Sequence, residues 1–286
     1  MNLTVIPLGG LANRMLALAS GVWLSRTAGV DLRCAWRCVS ELNAPFTSLF
    51  EPLQGVRMIH PGVIDRILLY DVPRRRNMHL PSISQRMRYA TRLFDSPSIY
   101  RYLDDPGLVA EELDRCVAAG RSMLVATGYE FYDFPDTLPA ELFHPVAAIE
   151  EAIARTTDRL GNFPVGVHIR RTDHRIAIDR SPTSLFVERM KRIVDADADT
   201  VFFLATDSEE EKITMRRTFG DRRIVTAERP AARNSLSGMR DAVADLYTLS
   251  RTNLVLGSAG STFGAFAARI GNIKFEVISR DGAARR

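Results

Sequence analysis

The sequence predicts an α/β protein built from two doubly wound lobes. Three observations lead there. Short apolar runs alternate with helical stretches of ten or more residues throughout the C-terminal half. The amino terminus opens with the same order of strand, glycine turn and helix. A chain of 286 residues is long enough for one large or two small cores, since domains commonly hold about 100–150 residues.

Residues 2–7 read as the first strand, followed by Gly9-Gly10, a helix from Leu11 to Thr27 and a strand at 31–35. Residues 61–110 are rich in proline and arginine and show no clear period. Residues 123–126 read as a strand and 135–139 as a turn-rich linker, which divides the lobes as 1–143 and 144–286. The second lobe then runs helix 146–159, strand 165–170, helix 183–196 and strand 200–206. A helix from Ser208, strand 223–226, helix 237–250, strand 253–257, helix from Ser261 and strand 273–278 complete it. Two Rossmann-like lobes with parallel sheets and a cleft between them are therefore expected. Ligands of such sheets bind outside the carboxyl ends of the strands.

Composition removes several function classes. Hydrophobic residues at 46% and charged residues at 25% are those of a folded globular chain, not a disordered one. Cys34, Cys38 and Cys116 form no disulfide framework, and neither they nor the five histidines sit at metal-ligand spacings, so no metal site is expected. The amino terminus lacks a charged segment leading into an apolar one, and no apolar run reaches membrane-spanning length; a cytoplasmic setting is expected. The net charge of +4 suits anionic partners such as nucleotide phosphates, while no basic-aromatic motif indicates nucleic acid. Arg74–Arg76 and the stretch Arg86–Arg92 read first as a solvated basic face. An anionic acceptor or a peripheral membrane contact is the functional alternative.

Four segments carry chemistry. The first is Val167-His-Ile-Arg-Arg-Thr-Asp173, where a buried strand ends in two arginines. His168 and Arg170 project to one face and Arg171 to the other. A guanidinium at that edge can grip a diphosphate through parallel hydrogen bonds; structural ion pairs with carboxylates are the alternative. The second is Gly257-Ser-Ala-Gly-Ser-Thr262, a small-residue turn into a helix start, where Ser258, Ser261, Thr262 and free N–H groups suit phosphate. The third is Asp245, whose carboxylate can accept from guanine N1–H and the amino group, although the spacing of Asp241 and Asp245 also fits a solvated helix face. The fourth is Gly9-Gly-Leu-Ala-Asn-Arg14, which fails the dinucleotide GxGxxG spacing but places Asn13 on the first helical turn.

Together these segments resemble the fucosyltransferase superfamily: the alpha-1,6-, nodulation-factor, protein O- and alpha-1,2-fucosyltransferases. His168-x-Arg-Arg-Thr-Asp173 is intact. Leu204-Ala-Thr-Asp207 is similar to the next strand motif, Asn234-Ser-Leu to the lead into the guanine-binding helix, and Asp245, Leu249-Ser250 and Ser261 keep the family order. Gly9-Gly-Leu-x-Asn13 is similar to the amino-terminal element. The resemblance spans the C-terminal half and about thirty residues of the N-terminal half.

The resemblance implies a GT-B-like fold, a bacterial setting, and inverting transfer of fucose from GDP-fucose to a glycan or lipid-linked oligosaccharide without a metal or other cofactor. It implies that Arg170 binds the β-phosphate and stabilises the leaving group. His168 would contact the nucleotide, Asp245 read guanine and Ser261 bind phosphate. Asp207 would hold the site or touch the nucleotide, Arg171 and Asp173 brace the motif, and Asn13 approach from the other lobe. No DxD-type motif sits at a strand end, since Asp104-Asp105 precedes Pro106 as a turn. Two departures stand out: His174 replaces the usual lysine, and the acidic residue beyond it is out of register; Asp179 is one candidate general base, beside an acidic residue of the N-terminal lobe or substrate-assisted chemistry. Another nucleotide sugar, or a non-catalytic nucleotide or phosphosugar binder, are the competing readings.

Overall fold

A computed structural model describes residues 1–70, 82–94, 106–172, 174–227 and 234–281. Arg74–Arg76, Asp104-Asp105 and Asp173, singled out above, lie outside the described residues. The chain forms two compact units, Met1–Phe46 with Pro52–Phe143, and Thr47–Glu51 with His144–Arg286.

The first unit holds a parallel sheet of five strands: β1 (Asn2–Pro7), β2 (Asp31–Cys34), β3 (Val56–Met58), β4 (Thr91–Phe94) and β5 (Met123–Thr127), in the order β3-β2-β1-β5-β4. Five of the six β1 residues are buried, as expected for a central parallel strand covered on both faces. Helix Leu11–Ala28 lies close against it. A Cβ on Gly21 would stand 2.8 Å from Val5 Cγ2, so only glycine lets the two elements approach so closely. The opposite side is filled by Ile6, Leu124 and Ala126 with Tyr70, Tyr89 and Phe94.

The second unit holds β6 (Val165–Ile169), β7 (Phe202–Thr206), β8 (Ile224–Thr226), β9 (Leu254–Ser258) and β10 (Lys274–Ile278), all parallel in the order β10-β9-β6-β7-β8. The period-2 alternation of β6 sorts its residues between layers. Val165, Val167 and Ile169 pack with Phe186 and Met190 of helix Thr183–Ala196 and Met215 of helix Glu209–Phe219. Gly166 and His168 face helices Leu236–Ser250 and Thr262–Gly271. A Cβ on Gly271 would stand 2.0 Å from the Ser250 carbonyl oxygen, which fixes glycine where those two helices meet. The segment Thr47–Glu51 joins this unit: Glu51 N donates to His144 O at 2.9 Å, and Val146 N to Leu49 O at 3.1 Å.

The observed sheets match the α/β class expected. Two local expectations change. The stretch 135–139 is not all turn, because helix Leu138–Leu142 starts within it, with Pro139 in the first helical turn where its missing N–H costs nothing. The described residues of 61–110, where the sequence shows no clear period, form helices Val63–Leu68 and Ser82–Arg88, strand β4 and the start of helix Pro106–Ala118. All three cysteines are free. Among the described residues, no helix is long and apolar enough to cross a membrane, and no group of three or more His, Cys, Asp or Glu could hold a metal ion.

Candidate functional site

Strand order reverses between β6 and β9: the chain steps outward from β6 through β7 to β8, then returns to lay β9 on the other side of β6. Ligands of open α/β sheets bind outside the carboxyl ends of the strands at such a switch point. Arg170 follows β6 there, and the Ser258–Ser261 turn follows β9.

One hydroxyl joins the two strand ends. Ser258 Oγ accepts from Arg170 N at 3.1 Å and donates to the His168 carbonyl at 3.5 Å. Ser181 Oγ accepts from Ala259 N at 2.8 Å, which pins the turn from the next loop. Gly260 takes φ +72°, and a Cβ there would stand 3.2 Å from both His174 and Ile176. The turn therefore needs glycine for its conformation and for close packing. Helix Thr262–Gly271 starts next. Its N-cap, Ser261, makes no side-chain capping bond, so the hydroxyl is not consumed by the helix.

The two arginines are held by carboxylates of the neighbouring strand end and helix. Arg170 Nη1 donates to Asp207 Oδ2 as a buried ion pair. Asp207 also accepts from Arg171 N at 2.8 Å and Thr172 Oγ1 at 2.7 Å. Burial pushes the Asp207 pKa up, but the Thr172 hydrogen bond, the Arg170 charge and the Arg171 N–H outweigh it and hold the carboxyl below its ordinary range. Arg170 thus makes the structural ion pair that is the alternative to phosphate binding, at the carboxyl end of the sheet. Arg171 turns to the other side, donating to Glu211 Oε1 at 2.6 Å and Thr183 Oγ1 at 3.1 Å.

His168 is buried. Its ring lies 4.9 Å from that of Phe263, and a Cβ on Gly264 would stand 3.3 Å from its Nδ1. Nδ1 finds no hydrogen-bond partner among the described residues, and burial lowers the imidazole pKa to about 4. Asp245 lies half-buried on helix Leu236–Ser250 and has no hydrogen bond or ion pair to another described residue. Burial, and then Asp241, push its pKa up to about 7, against the pull of Lys212. Asp179 sits exposed on the short helix Arg175–Arg180, likewise without a hydrogen bond or ion pair to another described residue.

In the first unit, Asn13 packs over the turn after β1: its Nδ2 lies 3.2 Å from where a Gly9 Cβ would be and 3.5 Å from that of Gly128. The structure thus brings His168, Arg170, Arg171, Asp207, Ser258, Ser261 and Thr262 into one neighbourhood. Asp245 and Asp179 stand on separate helices.

Residues outside the motif reading also build the site. Glu211 and Thr183 hold Arg171, and Phe263 and Gly264 cover His168. In the sequence Arg14 is only the last residue of the segment Gly9–Arg14. It is fully buried and donates from Nε to Gly9 O at 2.8 Å and from Nη1 to Arg37 O at 2.5 Å. Ser208-x-x-Glu211 has the capping-box pattern, which could have drawn attention to Glu211. Here the carboxylate goes to Arg171 instead.

The sequence matches no family model and no curated protein. Solved structures do match. The fucosyltransferase NodZ from Bradyrhizobium superposes with a TM-score of 0.65 at 18% identity, covering 99% of this chain and 97% of that one. An Arabidopsis thaliana FUT1 mutant in complex with GDP gives 0.63 at 14% identity, covering 96% and 70%. POFUT1 in complex with GDP-fucose gives 0.56 at 11% identity, covering 97% and 98%. These are fucosyltransferases, as the motif resemblance implied, and the chain has their fold.

Proposed function

We propose that this protein is a glycosyltransferase that moves fucose from GDP-fucose to a glycan or lipid-linked oligosaccharide, with inversion and without a metal. The observation that carries the reading is the convergence of Arg170, Ser258 and the start of helix Thr262–Gly271 on the switch point of the second sheet. Diphosphate charge would be matched there by a guanidinium and by the positive end of a helix dipole. The same groups would hold the negative charge that builds on departing GDP, which is the largest electrostatic demand of the reaction. Asp245, half-buried and with no hydrogen bond or ion pair to another described residue, supplies a carboxylate for guanine. Asp179, exposed just beyond the arginine loop, is the proposed general base.

The test is GDP binding by calorimetry, followed by donor turnover. GDP should bind more tightly than UDP or ADP, and Arg170→Ala should abolish binding in a protein whose circular dichroism is unchanged. Asp179→Asn should keep GDP binding and lose transfer, and a chelator should leave transfer intact. Equal affinity for the three nucleotides would point to another sugar donor. GDP binding with no turnover on any acceptor or water would leave a non-catalytic binder.

A further inference from the structure

The surface of the first unit carries an apolar patch on two short helices that reverses the usual helix pattern. Helix Ser82–Arg88 buries Gln85, and Tyr89 just beyond it, while exposing Ile83 at 72% and Met87 at 85%. Two polar anchors impose this orientation. Gln85 Nε2 donates to Leu69 O at 3.2 Å, and the Tyr89 hydroxyl to Thr4 Oγ1 at 3.3 Å. Ile83 and Met87, four apart, share the outer face. Helix Val63–Leu68 is tied alongside through Leu69 and exposes Val63 at 72%, Ile64 at 71%, Ile67 and Leu68. Exposed apolar residues scattered singly are ordinary, but six large ones on adjacent helices mark an interaction surface.

Positive charge accompanies the patch. Arg66, Arg86 and Arg88 are exposed and form no ion pair with a described residue, against one acid, Asp65, on the two helices.

We propose that this face docks on an anionic lipid bilayer. Its apolar side chains enter the boundary between headgroups and acyl chains, and the arginines stay at phosphate level. A second copy of the chain fits worse, because a two-fold contact over this face would bring arginines against arginines. The proposal is independent of the transferase reading.

Flotation of the full chain with vesicles tests it. The protein should float with vesicles of phosphatidylcholine containing phosphatidylglycerol, stay behind with phosphatidylcholine alone, and be released by salt. The double variant Ile64→Ser/Met87→Ser should lose flotation. Arg86→Gln and Arg88→Gln should each weaken it about fivefold. These side chains are exposed, so circular dichroism should not change, and the arginine variants decide the matter if the double variant misfolds. The proposal is overturned if the protein ignores the anionic vesicles, or if it floats equally well with every variant. It also fails if the same variants abolish self-association, seen by light scattering, in a protein that binds no vesicles.

Discussion

Arg170 and Asp207 form a buried ion pair one residue beyond the last register pair of β6 and β7, Ile169 with Thr206. Strand pairing therefore brings the two charges opposite each other, and Asp207 is the group that orients the loop running from Arg170 to Thr172.

Breaking that pair from one side should cost far more than removing it whole. Asp207→Ala leaves the guanidinium buried without its carboxylate and should destabilise the protein by about 3 kcal/mol in urea. Asp207→Ala combined with Arg170→Met should cost clearly less than the sum of the singles. Additive costs would mean that the charges do not interact. The Asp207 pKa is held below its ordinary 3.8, so the stability it contributes is present above about pH 4 and is lost as pH falls further.

His168 should make the protein acid-sensitive in a higher window. Burial lowers its pKa from 6.5 to about 4. Between those values the unfolded chain binds a proton that the folded chain refuses. Stability from this source is whole above pH 6.5 and falls progressively toward pH 4, by about 3 kcal/mol. His168→Leu removes both the titration and the unpaired Nδ1. Asp245 titrates across the same range with the opposite sign and is common to both proteins, so the readout is the difference in urea midpoint between wild type and variant, which should change across this range.

Gly257 and Phe275 should behave as a coupled pair. A Cβ on Gly257 would stand 2.5 Å from Phe275 Cε2 and 2.7 Å from Cζ, so the ring must move. Gly257→Ala should destabilise by about 2 kcal/mol through overpacking. Adding Phe275→Leu should recover part of that loss, and a thermal-denaturation cycle would show the non-additivity. No recovery would mean that the strain lies in the backbone.

Arg14 should prove irreplaceable by lysine. It bridges the Gly9 and Arg37 carbonyls and lies 5.4 Å from the centre of the Trp36 ring, and burial lowers its pKa to about 10. Arg14→Met strands both carbonyls and should cost about 3 kcal/mol. Lysine lacks the planar fork that spans two acceptors and stacks on indole, so Arg14→Lys should restore only part. Guanidinium chloride unfolding followed by tryptophan fluorescence reads both effects.

The C-terminal half was legible because each apolar run there is bounded by polar or turn residues. Helix Thr183–Ala196 matches its expected limits, and β6, β7 and β9 shift by a residue or two. The region after β2 was not, since β3 spans three residues and helix Pro106–Ala118 follows a proline- and arginine-rich stretch that masks its period. The arginine motif marked the carboxyl end of β6, but its supports are long-range. The sequence presents Glu209, Glu210 and Glu211 alike, as acids suited to a helix start. Only the tertiary contact selects Glu211 for Arg171. Arg14 was hidden for a similar reason, because its partners are backbone carbonyls that carry no residue signature.

Asp245 joins the electrostatics of the second unit to the proposed donor. Its pKa is pushed up to about 7, first by burial and then by Asp241. Folded protein therefore holds a proton there that the unfolded chain has released, and stability from this group declines as pH rises from about 4 toward 7. Binding runs in the opposite direction. A carboxylate accepts two hydrogen bonds from guanine, whereas a protonated acid presents a donor to donors. GDP affinity should thus be flat above about pH 7 and fall up to tenfold for each pH unit below it. Asp245→Asn should bind weakly with no such pH dependence. Asp241→Asn removes the like charge and should move the break to lower pH while keeping the affinity at pH 8. Calorimetric titrations across this range would show a proton released on binding near pH 7, and a pH-independent affinity in the wild-type protein would exclude Asp245 as the guanine contact.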